Sequence, residues 1–318
     1  MARGPASTHA LLSVTPRHGD SLATAHTRMS DDEAITLAHN LYGMEGSVQR
    51  FATEKDDTFK LETSQGPCCI LKIAHPLEDS AEIDLQVHLL QHIEAVDATL
   101  PVPRMAADLH GRLWSQITDL AGQRRAVRMM SYLEGTPLDK TSCCASQREQ
   151  IGELLARLRL ATSTFSHPAD TRILAWDVKH LLQLAPLLND IDDVAKRQQL
   201  TMGLRRFESY QEQLLHLRSQ VLHNDFSKSN IVVDHSRMAF VTGVIDFGDA
   251  VRTAVAVDVS TALLNQLPRN AAQLLADDLF ADGRDLLTEV LRYGEGRLAA
   301  LEASGAWVPG ERARAVPV

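Results

Sequence analysis

The chain has 318 residues, 44% of them hydrophobic, with a formal charge of −9. That length and apolar content provide for two lobes with cores of their own, and the negative balance argues against a nucleic-acid partner. No run of eighteen apolar residues occurs, which excludes a membrane-spanning helix.

In chain order, residues 1–28 lack a continuous apolar core and carry Pro5, Pro16 and Gly19, so a disordered tail is expected rather than a signal peptide, with Met29 as a possible natural start. Ser30-Asp31-Asp32-Glu33 then opens a helix, its acids suited to the positive end. Thr58 to Thr63 reads as a strand, Gly66-Pro67 as a turn, and Cys68 to Ile73 as a second strand. In that second strand, alternation sets Cys69, Leu71 and Ile73 on one face and Lys72 on the other. Ser80 to Glu94 has Ile83, Val87 and Leu90 at helical spacing, with Glu82 and Gln86 one turn apart and either able to pair with Lys72. No G-x-G-x-x-G is present; a phosphate-covering loop is expected around Thr53 to Phe59.

Arg128 to Gly135 is an apolar strand running into a turn. Two readings stay open here, an ordinary strand exit and a hinge where Ser131 and Leu133 offer backbone groups to an adenine. Ser146-x-x-Glu149 predicts a capping box ahead of the buried stripe Ile151, Leu154, Leu155 and Leu158. The cysteines form two adjacent pairs, Cys68-Cys69 and Cys143-Cys144, read as reduced packing residues of a cytoplasmic protein.

The chemistry concentrates in H-N-D-F-S-K-S-N at 223–230 and V-I-D-F-G-D at 244–249, a loop, strand, turn, strand and carboxylate. Phosphoryl transfer from a nucleotide needs a positioned acceptor hydroxyl and neutralised phosphate charge. Asp225 is the candidate base, and Asn230 and Asp246 are the candidate ligands for Mg²⁺, since hard oxygens without a Cys or His cluster suit that ion better than zinc. Lys72 is the candidate phosphate contact, and His223 reads as a backbone brace rather than a proton carrier. Asp249 and Asp177 are local acids that can hold an amine, whereas Asp258 reads as a helix cap.

These motifs, with E-K-D-D-T-F at 54–59, L-K-I-A-H-P at 71–76, L-P-V-P-R at 100–104, F-S-H-P at 165–168 and W-D-V-K-H at 176–180, resemble the aminoglycoside phosphotransferase and choline kinase superfamily. Within it, the similarity is greater to hydroxylysine kinase-like proteins and to the kinase domains fused to class III aminotransferase-like phospholyases. The resemblance spans about residues 35–265 and implies an α+β, protein-kinase-like two-lobed fold, with a small, mainly β N-lobe and a larger, mainly helical C-lobe. The expected organisation is a tail over 1–28, a nucleotide-binding N-lobe over 29–130, and a C-lobe over 131–318 holding hinge, catalytic loop and acceptor site.

The resemblance implies the same roles for Asp225, Asn230, Asp246 and Lys72. It departs in three places: the lysine's usual helix Glu is replaced by Gln86, leaving Glu82 as the charged candidate; Lys228 adds a positive charge to the catalytic loop, to touch a phosphate or be solvated; and the tail after about residue 268 does not match the family's last helices. The expected activity is phosphorylation, from ATP or GTP with Mg²⁺, of a hydroxyl on a small amine-bearing acceptor such as hydroxylysine or a short amino alcohol. The rivals are an aminoglycoside O-phosphotransferase and a nucleotide-binding pseudokinase.

Overall fold

The computed structural model describes residues 24–63, 66–174, 177–267 and 281–303. The Ser30 hydroxyl accepts the Glu33 amide at 3.2 Å and starts helix α1, Asp31–Tyr42, as its sequence predicts. An antiparallel sheet follows, built from β1 (Gly46–Phe51), β2 (Asp57–Thr63), β3 (Cys69–Ile73), β4 (Met105–Ala106), β5 (Trp114–Thr118) and β6 (Arg124–Ser131). Its order is β1-β2-β3-β6-β4, with β5 also on β6. The predicted alternation holds in β3: Cys69, Leu71 and Ile73 are buried against Phe59, Leu61, Val127 and Met129, leaving Lys72 on the other face.

Between β3 and β4 lies helix α2, Ser80–Val96, capped by the Asp79 carboxylate. Its Leu85, Leu89 and Ile93 join a second core with Ile151, Leu155, Leu158, Phe226 and Val244, while its Ile83 packs with Ala126 of β6, so the helix touches both sheet and C-lobe. Each such aliphatic side chain contributes about 1.5–3 kcal/mol on burial, which fixes the helix between sheet and C-lobe.

Beyond the sheet come β7 (Thr136–Pro137), α3 (Ala145–Ala161), a run of 3₁₀ turns over Val178–Asp190, α4 (Val194–His216), β8 (Ser219–Leu222), β9 (Ile231–Val233), β10 (Val241–Val244), β11 (Val251–Ala254), α5 (Ala256–Gln266) and α6 (Ala281–Ala303). Strands β10-β9-β7 form one small sheet and β11-β8 another. The whole is an α+β, protein-kinase-like arrangement. No described helix is long and apolar enough to cross a membrane.

Three local expectations are corrected. Residues 24–28, assigned by sequence to the tail, are held on the surface by hydrogen bonds: Arg28 donates to the carbonyls of Thr53, Glu54, Lys55 and Asp56, and His75 meets the Thr24 carbonyl at 3.0 Å. Residues 1–23, and most of the segment after 268, lie outside the described residues. Helix α3 starts before Ser146, because the Gln147 side chain returns to the Cys144 amide at 2.9 Å, two residues earlier than a Ser146 box requires. Asp258 lies inside α5, whose cap position is Val255, and its carboxylate serves a different loop.

Candidate active site

Strands β8 and β11 deliver the loop that begins at His223. The buried His223 ring accepts the Asp225 amide at Nδ1 (3.3 Å), which leaves Nε2–H to donate to the Ile245 carbonyl at 2.9 Å. It therefore ties the Asp225 loop to the end of β10, the bracing arrangement expected of it. The amides of His223 and Asn224 donate to the Asp258 carboxylate at 3.2 and 2.7 Å, and Asn224 turns the chain with a left-handed φ of 65°. Burial pushes the Asp258 carboxyl up, against the pull of His223 and these amides.

Asp225 and Asn230 are joined directly. The Asn230 amide nitrogen donates to the Asp225 carboxylate at 2.7 Å and to its carbonyl at 3.0 Å, so the amide oxygen is the ligand-type atom that Asn230 has to offer. Asp246 follows β10 with a left-handed φ of 60°, a conformation that costs a non-glycine residue on the order of 1–3 kcal/mol and that clusters at functional sites. Its carboxylate lies 3.1 Å from Lys72 Nζ. The Lys72 charge outweighs the partial desolvation of the cleft and holds the Asp246 carboxyl down at about 2. Burial lowers the Lys72 ammonium, yet Asp246 and then Asp56, 3.7 Å away, raise it overall.

The two helix candidates for Lys72 have other partners. Glu82 binds Arg172 at 2.7 Å, and Gln86 accepts from Arg128 at 2.8 Å. Arg172 also donates to the Gly248 and Ala250 carbonyls, clamping the short turn Phe247–Asp249. Asp249 sits in that turn. Burial pushes its carboxyl up, and the charges of Asp246 and Asp225 push the same way. Asp177, the other acid offered to an amine, is buried and spent locally: it receives the Lys179 amide and the Thr253 hydroxyl and pairs with the Lys179 ammonium at 3.0 Å. Trp176, its neighbour in the quoted motif, lies outside the described residues.

Lys72 and Asp246 line a cleft of about 400 Å³ whose walls include Phe51, Ile70, Met130 and Leu133, within the size range of small-ligand sites. Where β6 ends, the Ser131 and Tyr132 amides are engaged by the Arg104 and Cys68 carbonyls, and Ser131 Oγ accepts the Arg104 amide. Leu133 is the next residue along the cleft wall.

A separate group, Asp84, His88 and His167, brings ligand-type atoms within 4.8 Å of one another. It reads as a hydrogen-bond network: the Ala169 amide donates to His167 Nδ1, which puts the ring proton on Nε2, where Asp84 receives it at 3.1 Å.

The oxygens of Asn230 and Asp246 suit a hard divalent cation, Lys72 suits phosphate, and Asp225 suits a hydroxyl proton. Sequence reading missed Asp56, Arg128 and Arg172, and took Asp258 for a helix cap. Only Asp56 had a visible signal, as an acid in E-K-D-D-T-F, where two adjacent Asp precede a strand.

A sequence profile described as the phosphotransferase enzyme family matches residues 47–300. Hydroxylysine kinase of Mus musculus is 27% identical over 251 residues, which is 72% of this chain and 67% of that protein. The Bos taurus hydroxylysine kinase is 25% identical with the same coverage of both chains. Among solved structures, an amicoumacin kinase in complex with AMP-PNP, Ca²⁺ and Ami superposes with a TM-score of 0.64 at 18% identity, covering 84% of this chain and 78% of that one. A spectinomycin phosphotransferase with ADP and its antibiotic gives 0.58 at 10% identity, covering 85% and 80%.

Proposed function

The chain belongs to the phosphotransferase enzyme family and is a small-molecule kinase, and we propose that it transfers the γ-phosphoryl group of ATP to a hydroxyl on a small amine-bearing acceptor, of the hydroxylysine or short amino alcohol type. Asp225 accepts the hydroxyl proton as the acceptor oxygen bonds to phosphorus and the bond to the departing ADP breaks. Asn230 and Asp246 hold Mg²⁺, which when bound neutralises charge on the phosphates. Lys72 contacts the phosphates, and Leu133 at the hinge meets the adenine. A cytoplasmic setting fits four free cysteines.

The observation that carries the acceptor assignment is Asp249. It lies in the short turn that follows Asp246, where the charges of Asp246 and Asp225 reach it, so an ammonium beside it gains charge-assisted hydrogen bonds that a neutral alcohol does not. The hydroxylysine kinases among the relatives support the same acceptor class. The test compares steady-state kcat/KM for an amino alcohol and its des-amino analogue. A ratio of about ten or more is expected, since one charged contact is at stake. Equal values remove the amine from the proposal.

A further inference from the structure

An ammonium held in an apolar-walled cleft needs a counter-ion, because an unpaired buried charge is costly. Lys72 has two carboxylates close to it, and they differ in kind. Asp246, at 3.1 Å, is more than half exposed on its left-handed turn. Under the proposed function its oxygens go to the metal ion, which then shares their pull. Asp56 is buried just ahead of β2, where its Oδ1 accepts the His75 amide at 3.2 Å. That bond anchors it to the chain leaving β3. Its Oδ2 lies 3.7 Å from both Lys72 Nζ and Arg128 Nη2.

The register makes this acid necessary. Lys72 and Arg128 are direct partners across β3 and β6, so two cations share one face of the sheet. Gln86 supplies Arg128 with a hydrogen bond but no charge, and Glu82 is paired with Arg172. With Asp246 turned to the metal, Lys72, Arg128 and Asp56 together carry a single net positive charge towards the phosphates. Without Asp56 the two cations repel each other across the strand pair.

We propose that Asp56, ahead of β2, is the standing counter-ion that positions Lys72 for the nucleotide phosphates. It is a positioning residue, and the inference rests on the nucleotide-site reading above. Titration calorimetry with Mg·ATP on Asp56→Asn, Lys72→Met and the double variant separates the two ideas. Asp56→Asn keeps an acceptor for the His75 amide. It is expected to weaken nucleotide binding about tenfold, the scale of a lost charged contact. Its effect should vanish in the Lys72→Met background, and KM for the acceptor should stay unchanged.

If Lys72→Met weakens binding and Asp56→Asn does not, or the two effects simply add, the inference fails while the nucleotide site stands. Unchanged affinity in Lys72→Met sinks the nucleotide-site reading itself. Should Asp56→Asn lose its cooperative unfolding transition, a crystal structure of the wild-type protein with Mg²⁺ and a non-hydrolysable ATP analogue decides. Lys72 Nζ within about 4 Å of Asp56 and Asp246 on the metal supports the assignment, using the ion-pair distance as the criterion. Lys72 moved to Glu82 overturns it.

Discussion

Asp225 owes its position to neighbours on both sides. His223 receives its amide, Asn230 donates to its carboxylate, and Asp258 pins the two residues before it. Asp225→Asn should therefore leave the loop in place and remove only the proton acceptor. The expected result is a fall in kcat of about 10²–10⁴ with Mg·ATP affinity retained, measured by steady-state kinetics and calorimetry. A variant keeping more than about a tenth of the rate contradicts the assigned role. Asp249 makes a pH prediction. Burial and the charges of Asp246 and Asp225 raise its carboxyl, so its anion, the form that pairs with an ammonium, is lost as pH falls through that raised value. The acid limb of kcat/KM against pH should accordingly lie above the range of an ordinary carboxylate. Asp249→Asn should remove that limb and lower the plateau. Residues such as Asp225, Asn230 and Asp246 were legible because each is a polar group at the end of an apolar strand, in motifs a few residues long. Arg172 was not, because its partners Glu82 and Gly248 lie 90 and 76 positions away and no local pattern connects them.

Elements show the same division. The alternation of β3 and the start of α1 are written in adjacent residues and appear in the structure. The start of α3 was misplaced by the competition between two overlapping boxes, which Gln147 wins by reaching the Cys144 amide. Close packing of α3 against α6 depends on Gly152, a residue that lies inside a helix where alanine is intrinsically better by about 0.5–1 kcal/mol. A Cβ at that position would collide with the Leu286 carbonyl on α6. Gly152→Ala should thus destabilise the protein despite its helix propensity, by about 1–3 kcal/mol as an overpacking change, and lower Tm in a thermal melt. A raised Tm would mean that the two helices stand further apart than described. The glycine's role had no signal in sequence, since α6 follows it by more than a hundred residues.

At the scale of the molecule, the question is what couples the sheet-bearing lobe to the turn that carries Asp246. Helix α2 already touches both sides, Ile83 packing with Ala126 on the sheet and Leu85, Leu89 and Ile93 in the C-lobe core, but such apolar contact is non-directional and does not fix the turn. Arg172 does so with directed bonds: one guanidinium nitrogen meets Glu82 on α2, and the others meet the carbonyls of Gly248 and Ala250. Both charged side chains are more than nine-tenths buried. Removing one member of a buried pair is therefore costly, because the other charge is left in a poorly solvated place. Arg172→Met should lose about 3–5 kcal/mol of stability by denaturant titration on this basis. It should also lower kcat, because the turn Phe247–Asp249 loses its clamp and Asp246 its fixed aim. The pairing can be separated from simple loss of packing by Glu82→Gln in the Arg172→Met background. If loss of the Arg172 charge beside the buried Glu82 is the main cost, neutralising Glu82 recovers part of the stability without restoring kcat, since the carbonyls of the turn remain unbound. Recovery of both together would mean that α2, and not the clamp on the turn, sets the aim of Asp246.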